Sequence, residues 1–476
     1  MTSPQSRDVV TPEGCQAQGQ APGIAPEGTA APASTPGSRA AAGKTTEHSD
    51  VLAPEARRAL LDAPRPRSLP IAPNAPRALR HLPLAESARD VDREARPIYA
   101  VWEITLRCDL ACRHCGSRAG HARSDELSTS ECLDLVAQMA DLGVLEVTLI
   151  GGEAYLRDDW TEIVSAIKAR GLSVTMTTGG RGITAERAEQ ASRAGLESAS
   201  ISLDGLAETH DRLRGVRGSF ESALQAMDHL RRAGVKVSCN SQINRLSLPE
   251  LAPLLELIAE RGAHSWQWAM TVPMGRAADE PDVLLQPYEL LEVFPELARV
   301  HRRAEELSVK IWPGNNVGYF GPYEHELRRY SPRGHASSCA AGRLVLGIEA
   351  DGSIKGCPSL PTAAWTGGNI RDQSLRDIWE RSKPLRYTRD RTVEDLWGFC
   401  RSCYYADECR AGCTWTSFVF FGRAGNNPYC HHRALEMQRQ GLRERVRRIQ
   451  AAPGEPFDHG NFEIVVEPNP SLEPSA

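Results

Sequence analysis

From Ile98 onwards, short runs of apolar and β-branched residues alternate with longer segments in which apolar residues recur at helical spacing. The runs predict strands, and the longer segments predict amphipathic helices. The predicted strands are residues 98–105, 146–150, 173–177, 198–203, 236–243 and 265–270. The helices predicted to follow them are residues 128–142, 160–170, 185–194, 219–233, 248–261 and 286–307. Strands that alternate with crossover helices indicate a parallel sheet, so the pattern predicts an α/β fold, a partial (β/α)6 barrel open on one side.

The two ends of the chain have a different composition. Residues 1–95 are rich in Pro, Ala and Gly. Such a segment can bury too little apolar surface to offset the conformational entropy that it would lose on folding. We predict a disordered leader there, with a short helix at residues 54–61 and partner docking as an alternative role. At the other end, residues 431–450 have apolar residues at helical spacing and predict a basic helix. An acidic tail follows, and its one strand-like run is residues 462–466.

Composition narrows the class of protein. The chain has 476 residues, a formal net charge of -5 and 13 cysteines. A negative net charge does not indicate a basic surface that binds nucleic acid, and no apolar run is long enough for a membrane span. We found no apolar core of a signal peptide, so we expect a cytoplasmic protein, in which cysteines are reduced and serve as metal ligands. Ten of the 13 cysteines fall into two spaced groups.

The first group follows the first predicted strand and consists of Cys108, Cys112 and Cys115. The loops at the carboxyl ends of barrel strands are where such folds place their chemistry. Three thiols can hold three corners of a four-iron cluster and leave one iron open to bind a small molecule. A structural zinc needs a fourth ligand, which only His114 or a distant residue could supply. The spacing resembles that of the radical S-adenosylmethionine (SAM) enzymes, whose open iron binds the amino and carboxylate groups of SAM.

This resemblance implies roles for residues at the ends of later strands. Gly151-Gly152-Glu153-Ala154 is similar to the Gly-Gly-Glu-Pro element that binds the SAM amino group, with alanine in place of proline. By the same resemblance, Ser202 and Asp204 face the SAM ribose, and Arg214 meets the SAM carboxylate. Polar residues on and just after the fifth strand need partners inside a buried sheet, and the adenosine of SAM is one candidate; they are Asn240, Gln242 and Asn244.

The second group has seven cysteines between Cys339 and Cys430, and it surrounds a hairpin predicted at Ala350-Asp351-Gly352. The layout resembles the SPASM extension of peptide-modifying radical SAM enzymes, which carries one or two auxiliary iron-sulfur clusters. The resemblance implies that one auxiliary cluster is held by Cys339, Cys357 and Cys413. The other is then held by Cys400, Cys403, Cys409 and Cys430. The first of these sets lacks the eighth cysteine of some relatives, which leaves an open iron or a ligand other than cysteine.

Composition and the resemblance together predict four segments: a leader (1–95), a radical SAM barrel (96–312), a SPASM domain (313–432) and a helix with an acidic tail (433–476). It implies an enzyme that cleaves SAM to a 5'-deoxyadenosyl radical, accepts electrons from a donor such as flavodoxin or ferredoxin, and abstracts a hydrogen atom. The expected substrate is a ribosomally made precursor peptide. The alternatives are a protein side chain, a small metabolite or, in another class, a non-enzymatic zinc or iron-sulfur scaffold. Catalytic residues are not identifiable from the sequence.

Overall fold

The computed structural model describes residues 53–62, 83–331 and 333–470. Its main sheet has ten strands in the order β10-β9-β8-β1-β2-β3-β4-β5-β6-β7, and β11 and β12 pair separately. Neighbouring strands from β1 to β7 are parallel. The strands are β1 (Tyr99–Glu103), β2 (Glu146–Ile150), β3 (Ser173–Thr178), β4 (Ser198–Ser202), β5 (Lys236–Ile243), β6 (Ser265–Met270), β7 (Lys310–Pro313), β8 (Val345–Ile348), β9 (Ser353–Lys355), β10 (Gly368–Asn369), β11 (Leu442–Gln450) and β12 (Asn461–Pro468). The predicted α/β fold and its six strand-helix units are confirmed.

The helices of the six units begin and end close to their predicted positions, and α6 is an addition between β4 and the helix that follows it. The predicted capping box of α3 is present, because Ser128 and Glu131 each accept a hydrogen bond from the other's backbone N–H. The helices are α1 (Pro54–Asp62), α2 (Asp90–Glu94), α3 (Thr129–Leu142), α4 (Trp160–Ala169), α5 (Ala185–Ala194), α6 (Ala207–Arg214), α7 (Ser219–Arg232), α8 (Leu251–Glu260), α9 (Leu290–Glu306), α10 (Glu324–Leu327), α11 (Thr362–Trp365), α12 (Leu375–Arg381), α13 (Lys383–Asp390), α14 (Ala406–Cys409), α15 (Thr414–Phe421) and α16 (His431–Arg439).

The two faces of the barrel strands differ in chemistry. Apolar side chains such as Val174 on β3 and Leu135 on α3 are completely buried in the main core. Side chains of alternate strand residues point to the other face of the sheet. Several of them carry hydroxyl or amide groups and line a cavity of about 190 Å³. They include Thr148, Thr175, Ser200, Ser238 and Gln267. The core therefore lies between sheet and helices, while the inner face of the sheet is polar and free to contact a ligand.

Four strands, β7 to β10, extend this sheet beyond the six predicted units. After α9, β7 pairs with β6 in parallel. On the other side, β8 pairs in parallel with β1, so that Tyr99 lies opposite Val345 and Trp102 opposite Ile348. The predicted hairpin is confirmed as β8 and β9, but the sequence did not indicate that it joins the barrel sheet. The boundary between residues 312 and 313 stays a prediction.

The prediction of a helix through residues 431–450 is wrong in its second half. Helix α16 ends at Arg439, and Gly441 adopts a left-handed backbone conformation with φ of 72°. The chain then continues as β11, which pairs antiparallel with β12. On β11, Glu444 is buried in an ion pair with Arg433, at 2.6 Å, so a charge expected on a helix surface is in fact internal. The strand predicted at residues 462–466 is confirmed within β12.

Most of the predicted leader, residues 1–95, falls outside the described residues. The short helix predicted at residues 54–61 is confirmed as α1, and it packs against the outside of the barrel. No helix in the described part of the chain is long and apolar enough to cross a membrane.

Candidate functional site

The first cysteine group lies on the loop that leaves β1 at its carboxyl end. Cys112 is buried, while Cys108 and Cys115 are partly exposed. The backbone of the loop is tied to the end of α6, because Ala111 N–H donates to the Arg214 carbonyl at 3.1 Å and Arg113 N–H donates to the Leu213 carbonyl at 2.7 Å. The geometry of this loop therefore depends on the position of α6.

The thiols of this loop are in an environment that suits metal ligation. Burial raises the pKa of Cys112 to about 11, against the lowering effect of Arg214, whose Nη1 lies 3.7 Å from Cys112 Sγ. Burial and the neighbouring Glu153 raise the pKa of Cys108. Such thiols stay protonated by themselves, and a bound cationic cluster would convert them to thiolates. Three buried or half-buried thiols on one short loop fit three corners of an iron-sulfur cluster.

Glycines bring the loop after β2 into contact with the cysteine loop. A Cβ atom at Gly152 would lie 2.1 Å from the carbonyl oxygen of Arg107, and one at Gly151 would lie 2.1 Å from that of Thr105. Only glycine fits at these two positions. The close approach places the carboxylate of Glu153 and that of Asp109 within 4.8 Å of Cys108 Sγ.

Glu153 is held in a fixed orientation below this loop. It is 2% exposed, accepts a hydrogen bond from the Thr178 hydroxyl, and accepts another from Gly179 N–H at 2.7 Å. Burial raises the pKa of Glu153 to about 7. A cationic partner such as an ammonium group would stabilise the ionised form of this buried carboxylate. Ala154, where the resembling motif has proline, leaves this arrangement intact.

Two of the predicted ribose and carboxylate contacts, Asp204 and Arg214, form a buried ion pair. Asp204 is fully buried, and it pairs with Arg214 Nη2 at 2.6 Å and with His114 Nε2 at 3.1 Å. Burial raises the pKa of Asp204, but Arg214 and His114 together hold it well below its usual range. Ser202 lies nearby and donates to Asn240 Oδ1 at 3.1 Å. The structure thus brings these residues together; their contacts with SAM stay predictions.

A second cavity, of about 210 Å³, adjoins these residues. Its lining includes Gly151, His114 and Gln242, which the sequence already indicated. The lining also includes Glu103 and Phe457, which the sequence did not indicate. Glu103 looked like an ordinary strand residue, and Phe457 comes from the loop between β11 and β12, whose position no local pattern indicates.

The seven remaining motif cysteines fall into two separate sets in space. Four of them line one small cavity, together with Tyr319: Cys400, Cys403, Cys409 and Cys430. The other three line the wall of the barrel cavity: Cys339, Cys357 and Cys413. Burial and the two neighbouring thiols of this set raise the pKa of Cys413 to about 12. This grouping is the one that the resemblance implied, and iron binding by either set stays a prediction.

Replacing Glu153 by glutamine is expected to weaken SAM binding. The substitution keeps the shape of the side chain but removes the charge that faces the predicted ammonium position. A lost charge-assisted hydrogen bond costs about 1 to 3 kcal/mol, so the Kd for SAM should rise about 5- to 150-fold. Calorimetry on anaerobically reconstituted protein measures this change.

Glu146→Gln is the matched control for that experiment. Glu146 is also 2% exposed and burial also raises its pKa to about 7, but it lies at the opposite end of β2. We expect its Kd for SAM to stay within twofold of the wild type. Equal Kd values for Glu153→Gln and the wild type would contradict the assigned role of Glu153.

Comparisons with known proteins identify two family regions. The model of the radical SAM superfamily matches residues 102–249, and the model of SPASM, an iron-sulfur cluster-binding domain, matches residues 339–404. These regions contain the first cysteine loop with the Glu153 loop, and the beginning of the second cysteine group.

Individual relatives extend the match along the chain. An AdoMet-dependent heme synthase of Methanosarcina barkeri is 31% identical over 350 residues, which cover 71% of this chain and 97% of the relative. A PqqA peptide cyclase of Rhizobium meliloti is 29% identical over 351 residues, 73% of this chain and 90% of the relative. The crystal structure of Streptococcus suis SuiB bound to S-adenosylmethionine shares the fold, with a TM-score of 0.55 at 18% identity, over 71% of this chain and 76% of that one.

Proposed function

This chain belongs to the radical SAM superfamily and carries a SPASM iron-sulfur domain, and from that premise we propose that it modifies a peptide by abstraction of a hydrogen atom. The enzyme class excludes the alternative of a passive zinc scaffold. When bound, the iron-sulfur cluster supplies the electron that splits SAM into methionine and a 5'-deoxyadenosyl radical.

The residues of the chain have the following roles in this proposal. Cys108, Cys112 and Cys115 hold the cluster that binds SAM. Gly151 and Gly152 let the backbone approach the SAM methionyl group, and Glu153 accepts its ammonium. Ser202 and the Asp204–Arg214 pair then orient the ribose and the carboxylate. Fixing SAM in this way is the protein's main contribution, because radical abstraction depends on the placement of the 5' carbon beside the substrate hydrogen.

The charge of the cavity linings is the observation that carries the peptide proposal. Among the described residues, no lysine or arginine lines the 210 Å³ cavity. The 190 Å³ cavity has one, Arg328, and its guanidinium donates to the backbone carbonyls of Pro313 and Gly314 at 2.6 and 3.0 Å. The remaining lining of that cavity is rich in neutral hydroxyl groups, which suit the amide groups of a peptide. A relative named as a peptide cyclase supports the same substrate class.

A tetrapyrrole is the second candidate substrate. It is favoured by the relative named as a heme synthase, because the match with this chain covers 97% of that relative. Heme carries two carboxylates, however, and proteins commonly bind such groups through arginine or lysine. Among the described residues that line the two cavities, the one such cation is Arg328, whose guanidinium already binds backbone carbonyls, so we place the peptide first.

The proposal includes the cellular setting. We propose a cytoplasmic enzyme that receives its electrons from a reduced flavodoxin or ferredoxin, and in which the two sets of SPASM cysteines hold auxiliary iron-sulfur clusters. The reducing conditions of the cytoplasm suit this chain, since none of the twelve described cysteines forms a disulfide bond.

Isotope transfer tests the substrate class. Reconstituted enzyme, SAM and a strong reductant are incubated with a deuterated short peptide encoded beside the gene, or with a deuterated heme precursor. We expect mass spectrometry to find deuterium in 5'-deoxyadenosine only with the peptide. Deuterium transfer from the tetrapyrrole alone would overturn the peptide proposal in favour of the second candidate. The Cys112→Ala variant is the control for nonenzymatic exchange.

A further inference from the structure

We propose that helix α1 is a working part of the SAM site, and that Arg57 is a positioning residue which, through Glu250, holds the turn that carries Asp204. The inference rests on the proposed function only in taking Asp204 and α6 as part of the SAM site. It assigns a role to a segment whose composition predicted a plain leader.

Helix α1 is anchored against the outer end of the barrel by apolar contacts. Leu61 is 7% exposed and belongs to a small buried cluster with Leu213, Leu246 and Val283. Leu213 is on α6, so the helix packs directly on the element that ends at the cysteine loop. Arg212 of α6 adds a hydrogen bond from Nη2 to the Leu60 carbonyl oxygen, at 3.4 Å.

Arg57 inserts its guanidinium between the turn after β4 and the start of α8. Arg57 Nη2 lies 2.7 Å from Thr209 Oγ1 and 3.3 Å from the Leu246 carbonyl oxygen, and it forms an ion pair with Glu250. The two charged side chains are 22% and 16% exposed, so water screens this pair far less than a surface pair.

Glu250 passes this contact on to the turn. One carboxylate oxygen accepts Leu206 N–H at 2.7 Å, and the other accepts the Thr209 hydroxyl at 2.9 Å. The packing is close, because a Cβ atom at Gly205, where φ is 144°, would lie 2.6 Å from Glu250 Oε2. The turn directly after Asp204 is thus held by a carboxylate whose counter-charge comes from α1.

The opposite end of α6 reaches the predicted SAM contacts. His210 Nδ1 accepts a hydrogen bond from Asp204 N–H at 3.3 Å. Four residues later, Arg214 pairs with Asp204 and lies beside Cys112 Sγ. Helix α6 therefore spans from the Arg57 contact at Thr209 to the cysteine loop, and a shift of the turn would move Asp204 and Arg214 together.

Removing the Arg57 side chain leaves the Glu250 carboxylate partly buried without its counter-ion. The carboxylate then gains by turning towards water, which releases Leu206 N–H and Thr209 from their present partner. The turn loses its fixed position. The free-energy cost of ordering it again when SAM binds makes the net binding free energy less favourable. We expect the Kd for SAM to rise about 3- to 10-fold in Arg57→Ala.

Arg58→Ala is the matched control. Arg58 is the next residue on the same helix, its side chain is 59% exposed, and its partners Asp62 and Glu208 are similarly exposed. We expect its Kd for SAM to stay within twofold of the wild type. Both variants are made in the full chain and reconstituted anaerobically, and SAM binding is measured by calorimetry beside iron content and thermal unfolding.

A double-mutant cycle separates positioning from simple loss of stability. If Arg57 acts through Glu250, adding Arg57→Ala to Glu250→Gln should raise the Kd by less than it does in the wild-type background. An unchanged Kd in Arg57→Ala, or equal losses in Arg57→Ala and Arg58→Ala, would overturn the inference. So would fully additive effects in the cycle. If the wild type with full iron content binds no SAM, the proposed function itself fails, and that result is distinguishable from the others.

Discussion

Replacing Cys112 by alanine is expected to abolish the release of 5'-deoxyadenosine from SAM. Cys112 is the buried member of the first cysteine loop, and two thiols cannot hold a four-iron cluster in place. The variant should lose about four iron atoms per chain while the iron of the SPASM domain remains. Chromatography of the products after incubation with SAM and a strong reductant, together with iron analysis, measures both effects.

Cys132→Ala is the control for that substitution. Cys132 is also buried, at 1% exposed, but it packs in the core on α3 and belongs to neither cysteine group. Its loss removes one small apolar contact, so we expect near wild-type SAM cleavage and iron content. SAM cleavage that persists at the wild-type rate in Cys112→Ala would show that this loop does not hold the cluster that binds SAM.

The paired substitution Cys403→Ala and Cys409→Ala is expected to have the opposite profile. It should remove the iron of one SPASM site, about four atoms per chain, and leave SAM cleavage measurable. The reason is location, because these thiols line a cavity apart from the one that adjoins Gly151 and His114. Iron analysis and 5'-deoxyadenosine release distinguish the two profiles.

Stability is the second readout for this pair. The region around these cysteines has a small apolar core of its own, formed by Leu396, Cys400, Ala406 and Ala411. We therefore expect metal binding to contribute much of the folding free energy of this region, and we expect a lower Tm in the paired variant. Unchanged iron content would contradict the predicted ligand set, and loss of SAM cleavage in a variant with native circular dichroism would contradict the division of roles.

The repeating units of the barrel were predictable because each is encoded locally. A strand of five to eight residues and a helix with one apolar face leave a periodic pattern that can be read without knowledge of distant residues. The capping box at Ser128 and the spacing of Cys108, Cys112 and Cys115 are equally local. Topology predicted only that residues after successive parallel strands lie at one edge of the sheet, and the roles of Glu153, Ser202 and Asp204 there came from the family resemblance.

The features that the sequence did not indicate are those set by contacts between distant segments. The residues of β11 occur at a spacing that suits a helix, and it is the pairing with β12, together with the buried partner of Glu444, that selects the strand. Phe457 reaches the cavity beside the SAM site only because this hairpin packs there. Similarly, Arg57 is one of many arginines in a leader of low complexity, and its partner Glu250 lies 193 residues away.

The pairing of β8 with β1 has a consequence for how this protein folds. An isolated barrel cut before residue 345 would present the backbone of β1 as an open edge, next to the loop that carries the first cysteine group. Exposed edges of this kind recruit other chains and lead to aggregation. We therefore expect the barrel and the SPASM hairpin to fold as one unit, so that the predicted site for SAM reaches its final stability only after residues 345–348 have been synthesised.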